Sequence, residues 1–154
     1  MKRITLLFAS LLFLTSYAQE TESLYLSGRG SDQTVMWDFF CTAGRKSGEW
    51  TKIPVPSNWE FEGFGQFTYG HDQERLNETG IYRHQFTVPE TWKGKTIHIV
   101  FEGAMTDTEV KINGRSAGEM HQGGFYCFEY DITKLLKFGQ NNFLEVTVHK
   151  SSSN

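Results

Sequence analysis

Four carboxylates, Glu60, Glu62, Asp72 and Glu74, fall within one polar stretch of this chain. Two carboxylates about 5.5 Å apart can hydrolyse a glycosidic bond with retention, and a wider pair with inversion. The stretch is also punctuated by Gly63, Gly65 and Gly70, and a loop this polar holds acidic residues whether or not it catalyses anything. His71 and Asp72, with Tyr69 before them, form a second constellation. An imidazole beside a carboxylate suits acid–base or metal chemistry, and it equally suits a solvated loop. Aromatic rings are interleaved: Trp59, Phe61, Phe64, Phe67 and Tyr69. They either pack beneath the loop or offer faces on which a sugar ring stacks. Other chemistries lack their residues. No serine sits in a Gly-x-Ser-x-Gly elbow, and no glycine loop suits a phosphate. Two cysteines, Cys41 and Cys127, give no metal-ligand spacing; they either form a bridge or stand as two inert thiols.

The elements that position these groups read as β-strands. Val35 to Phe40 is aromatic and β-prone, and Thr42 to Ser47 is a loop. Ile53-Pro54-Val55-Pro56 is an extended edge or crossing segment, because each proline removes a ladder donor. Glu60 to Glu78 is a long loop, and loops of that length usually carry function or disorder. Tyr82 to Val88 is a strand that stops at Pro89. Thr96 to Phe101 alternates, with Ile97, Ile99 and Phe101 on one face and Thr96, His98 and Val100 on the other. Glu109 to Ile112 alternates again, and Asn113-Gly114 supplies the positive backbone angles of a tight hairpin. Arg115 to Glu119 reads as the return strand and Phe125 to Ile132 as another. Thr133 starts a short helical turn over Lys134 to Phe138, closed by Gly139. Phe143 to Val148 is the last strand. Seven or eight short strands with turn residues between them predict an all-β antiparallel sandwich.

The chain has 154 residues, including 15 glycines and 13 phenylalanines, a composition of turn-rich, aromatic-packed β proteins. Lys2 and Arg3 precede an apolar run, Ile4 to Leu14, and Ser16-Tyr17-Ala18 has small residues at its outer positions. That layout is a secretory signal, residues 1–18, cut after Ala18. The apolar run is too short to cross ~30 Å of hydrocarbon, which takes about 20 residues. Export to the periplasm or medium of a bacterium follows as an expectation. Losing Lys2 and Arg3 takes the formal charge from −3 to −5, and an acidic chain without basic clusters does not suit nucleic acid or anionic membranes. Residues 19–33 read as a flexible lead-in, 34–150 as one domain, and 151–154 as a tail.

Several short motifs occur in a fixed order. Val55-Pro56-Ser57-Asn58-Trp59-Glu60 comes first, then Gly80-Ile81-Tyr82-Arg83, Phe101-Glu102-Gly103 and Val110-Lys111-Ile112-Asn113-Gly114. Gly123-Gly124-Phe125 and Phe128-Glu129-Tyr130-Asp131-Ile132-Thr133 follow. This order and spacing resemble the N-terminal sugar-binding domain of family 2 glycoside hydrolases, the group of β-galactosidases, β-glucuronidases and β-mannosidases. The resemblance covers roughly Trp37 to Val148. It implies a jelly-roll, galactose-binding-like sandwich, part of an enzyme that hydrolyses terminal β-linked sugars. It also implies that the catalytic glutamates lie on a downstream barrel, so no catalytic residue is expected here and the segment alone should be inactive. The tail then reads as the start of a linker to further domains, and the chain as an amino-terminal piece. Carbohydrate and those domains are the expected partners. A free-standing carbohydrate-binding module is the alternative.

The resemblance brings the loop after Trp59 to the rim of the sugar pocket, where β-galactosidases contribute an asparagine. Here the stretch reads Phe67-Thr68-Tyr69-Gly70-His71 and departs from that pattern. Tyr69, His71 and Asp72 are the substrate-proximal candidates. Structural duties are expected of Trp59 (an apolar anchor), Gly80 (a sharp turn into a strand), Tyr82, Arg83 (paired with Glu102 or Asp131), Asn113, Gly114 and Asp131. No cofactor and no metal ligand set is expected, although a bracing calcium ion is left open.

Overall fold

The structure is a computed structural model describing residues 21–67 and 77–151. The leader read over residues 1–18, and Tyr69, His71, Asp72 and Glu74, lie outside the described residues.

Eight strands occur among the described residues: β1 Val35–Cys41, β2 Trp50–Val55, β3 Thr79–Thr87, β4 His98–Phe101, β5 Thr108–Ile112, β6 Arg115–Ser116, β7 Phe128–Asp131 and β8 Asn141–His149. Six form one sheet in the order β2-β1-β3-β8-β5-β6, and β4 and β7 form a second. Every strand pair is antiparallel. This is the expected all-β, jelly-roll sandwich, and among the described residues the helical elements are short 3-10 turns at Glu90–Trp92 and Thr133–Leu135.

Side-chain alternation decides which face is buried. In β8, Asn142, Leu144, Val146 and Val148 are buried while the residues between them are not. Trp37, Phe39 and Cys41 do the same in β1, and Val110 and Ile112 in β5. A slip of one residue would turn each of these sets outward, so the pattern fixes register. Ile97, Ile99 and Ile132 close the core from the small-sheet side. Val100, next to Ile99, is 53% exposed, in keeping with the alternation.

The edge strands follow from the sequence too. β2 carries Pro54 and ends before the cis Val55–Pro56 bond, and it lies at the sheet edge as prolines require. At the other edge β6 is two residues long, shorter than the return strand expected to reach Glu119. The chain leaves the ladder because Gly118 lies against the Tyr130 ring, whose phenol donates to Glu119 O at 2.7 Å. The strand expected from Phe125 starts only at Phe128, and Phe125 and Tyr126 remain in solvent. The lead-in does not hang free. Glu22 accepts from Trp92 Nε1 (2.8 Å), Leu26 O from Trp37 Nε1 (3.0 Å) and Val55 O from Gly28 N (2.9 Å).

Asn113 and Gly114 have φ of 53° and 78°, the double positive turn that the dipeptide predicts. Asn113 also reaches inward. Its Nδ2 donates to Leu135 O (2.8 Å) and Asn142 Oδ1 (2.9 Å), and its Oδ1 accepts from Phe143 N (3.0 Å). Asn142 is 1% exposed and completes the network through Lys137 N and Lys137 O. Asn142→Ala leaves those buried groups unpaired. We expect it to cost about 2–3 kcal/mol of unfolding free energy, read from urea denaturation. The short helical turn ends at Leu135, earlier than expected. Gly139, at φ 65°, closes the next bend by donating to Val88 O at 2.8 Å.

Candidate functional site

The carboxylate-rich loop begins with a turn built on Asn58, whose Oδ1 accepts from Glu60 N at 2.8 Å and whose carbonyl accepts from Phe61 N at 3.1 Å. That turn buries Trp59 and aims Glu60 at the end of β8. There Lys150 Nζ lies 2.5 Å from Glu60 Oε1 and 3.1 Å from Glu78 Oε2. Glu78 is 2% exposed, and its other oxygen accepts from Gln66 N at 2.7 Å. Burial works against the charge on Lys150. The hydrogen bonds and charges of Glu60 and Glu78 outweigh it and hold its pKa above the usual lysine value.

Two carboxylates therefore converge, but on an ammonium. The space where a glycosidic oxygen and a water would have to sit holds the Lys150 headgroup, so this pair cannot act as acid and nucleophile. Of the other acidic candidates, Glu62 contributes its carbonyl to Lys46 Nζ (3.0 Å), and Asp72 and Glu74 lie outside the described residues. Sequence reasoning singled out neither Glu78 nor Lys150. They are 72 residues apart, and no local pattern links them. Among the described residues no group of three His, Cys, Asp or Glu side chains could hold a metal ion, and no helix is long and apolar enough to cross a membrane.

The motif residues hold the fold. Trp59 is buried, its ring centroid 6.0 Å from that of Phe39. Gly80 does not make the expected turn. It lies inside β3, where a Cβ would come within 2.4 Å of the Trp59 ring and 2.8 Å of Phe39. Close approach of rings, not backbone freedom, requires glycine there. Tyr82 packs on Phe39 at 4.7 Å, and burial pushes its phenol pKa well up. Arg83 pairs with neither Glu102 nor Asp131. It faces Glu145 across the β3–β8 ladder with Nε 2.9 Å from Oε2, and its guanidinium lies 4.0 Å over the Trp50 ring. Asp131 belongs to the other sheet. There it accepts from Thr133 N (2.9 Å) and Thr133 Oγ1 (2.6 Å), and these bonds lower its pKa. Cys41 is buried and Cys127 exposed, both as free thiols. The aromatic run divides: Trp59 and Phe64 pack in the core, while Phe61 and Phe67 are exposed with centroids 5.8 Å apart.

An open pocket of about 1300 Å³ is lined by Trp37, Tyr82, Phe86, Ile97 and Ile99, by residues 21–29 of the lead-in, and by Glu60 and Lys150.

This architecture can be set beside known proteins. Residues 42–154 match the family described as glycosyl hydrolases family 2, sugar binding domain. The chain belongs to glycoside hydrolase family 2. A β-galactosidase of Bacteroides ovatus is 30% identical over 147 residues, 85% of this chain and 16% of that protein. A β-glucuronidase of Formosa agariphila is 35% identical over 104 residues, 65% of this chain and 10% of that one. Among solved structures, the β-D-glucuronidase of Dictyoglomus thermophilum superposes with a TM-score of 0.61 at 25% identity, covering 89% of this chain and 22% of that one. The chain thus spans under a fifth of the length of these curated relatives. Within family 2 it is the N-terminal, non-catalytic sugar-binding domain.

Proposed function

We propose that this family 2 domain scaffolds an exported glycoside hydrolase which, as an intact enzyme, removes terminal β-linked sugars by the retaining route. The observation that carries this reading is the occupied carboxylate pair inside a sugar-binding fold: Glu60 and Glu78 are committed to Lys150, so the reaction needs acidic groups from elsewhere. In this reading the loop bearing Tyr69, His71 and Asp72 lines the sugar pocket, and residues 1–18 direct export to the periplasm or medium. The chain as it stands is expected to release no nitrophenol from aryl β-glycosides. Turnover that co-purifies with the chain and disappears with a chain mutation, not with host glycosidases, would overturn this. The coding sequence beyond Asn154 separates the readings. A frame that runs on to a barrel with paired glutamates supports the enzyme, and a stop codon supports a free-standing carbohydrate-binding module.

In this reading, apolar groups in solvent supply the docking surface for the remainder of the enzyme. Phe125 is 98% and Tyr126 69% exposed, and Met105 beside Gly124 is 50% exposed. Exposed apolar clusters of this kind usually mark interfaces. The isolated chain is therefore expected to bind a hydrophobic dye under native conditions, and Phe125→Ser/Tyr126→Ser to reduce that binding. Fluorescence unchanged from a dye-only blank would count against the docking assignment.

A further inference from the structure

The Lys150 cluster ties together segments far apart in sequence. Its ammonium meets Glu60, Glu78 and the Gln66 carbonyl, while the Lys150 amide donates to Glu78 O at 2.9 Å. Glu78 in turn accepts from the Gln66 amide at 2.7 Å. Gln66 and Glu78 are the two sides of the long loop, so one side chain at the end of β8 holds both. Arg45 braces the same mouth: its amide and that of Gly65 exchange hydrogen bonds of 3.1 Å and 2.9 Å. The walls are cut to the carboxylate. A Cβ on Gly65 would lie 2.5 Å from Glu78 Oε2, and one on Gly44 2.7 Å from Glu78 Oε1; both glycines have positive φ.

Burying three charges is a poor way to gain stability, because apolar groups of the same volume often do as well. What the arrangement does provide is a tie between separate segments. The ammonium has three donors, and the Gln66 carbonyl, Glu60 and Glu78 take them together.

We propose that Lys150 is a positioning residue that fixes the mouth of the 66–78 loop in one geometry relative to the end of β8. The purpose, presenting that loop to a sugar, rests on the functional reading above; the fixing is a property of this chain by itself.

Amide hydrogen exchange on the 154-residue chain tests it. In Lys150→Met/Glu60→Gln/Glu78→Gln the three charges are removed together and residue 78 keeps an oxygen for the Gln66 amide. Exchange at Gln66, Gly65 and Arg45 should then rise by about tenfold or more relative to the β5–β8 ladder amides, the signature of local opening. No rise at those three, or the same rise at all amides, overturns the proposal. Should that variant not fold, Lys150→Arg keeps the charge and changes its reach. It should shift the Gln66 and Glu78 amide resonances with the melting temperature held, and unmoved resonances would be the negative result. Either failure leaves the family placement standing.

Discussion

Phe39→Ala is expected to lower the unfolding free energy by about 3–5 kcal/mol, the range for deleting a fully buried aromatic ring. Phe39 is 0% exposed at the centre of β1. Its ring centroid lies 5.0 Å from Phe64, 6.0 Å from Trp59 and 4.7 Å from Tyr82. Those rings come from the turn after Asn58 and from β3, so the truncation undoes the joint between the loop base and the sheet. Rigid aromatic neighbours collapse poorly into a void, which places the loss toward the upper end. Urea denaturation should show a lower midpoint with an unchanged slope. Met36→Ala on the same strand is the control. Met36 is 52% exposed and should stay within about 0.5 kcal/mol of the parent. Equal losses in the two variants would mean that Phe39 is not at the core.

Lys150→Met alone should cost a comparable amount, about 3–5 kcal/mol, by a different route. Breaking a largely buried ion cluster from one side leaves the Glu78 carboxylate, 2% exposed, without its cation. Glu60 and Glu78 would then face each other as like charges with their shared cation gone. Urea denaturation should show the loss as a lower midpoint. A deficit under about 1 kcal/mol would mean the cluster is screened like a surface pair.

Much of the frame could be read from the chain because its causes are local. The alternation of Phe143 to Val148 predicts a strand buried on one side, and β8 is that strand extended to Asn141–His149. Asn113-Gly114 names its own turn. Pro54 and Pro56 rule out a central strand, and β2 is an edge. The ordered motifs from Val55-Pro56 to Asp131-Ile132-Thr133 carried the resemblance that the family match bears out. What escaped was set by contacts between distant segments. Arg83 finds Glu145 because β3 lies against β8 in one register, and nothing near Arg83 reveals that register. Gly80 looks like a turn glycine until Trp59 is seen lying on it. Phe125 and Tyr126 are β-prone, yet local propensity does not decide whether a partner strand is there to receive them. Glu78 is the middle residue of Asn77-Glu78-Thr79, a formal glycosylation sequon, and that pattern gives no hint of a buried ion cluster. The pocket candidates Tyr69, His71 and Asp72 lie outside the described residues and remain part of the functional proposal.

The two margins of the large sheet bear on how this protein behaves when concentrated. Open margins invite other chains to add on and grow into fibrils. On one margin Pro54 has no N–H to offer and the Val55 carbonyl is already taken by Gly28. On the other, two residues of β6 are too short a template to recruit a neighbour. Crowded copies of this domain should therefore not polymerise through that sheet, and any self-association should proceed through side chains.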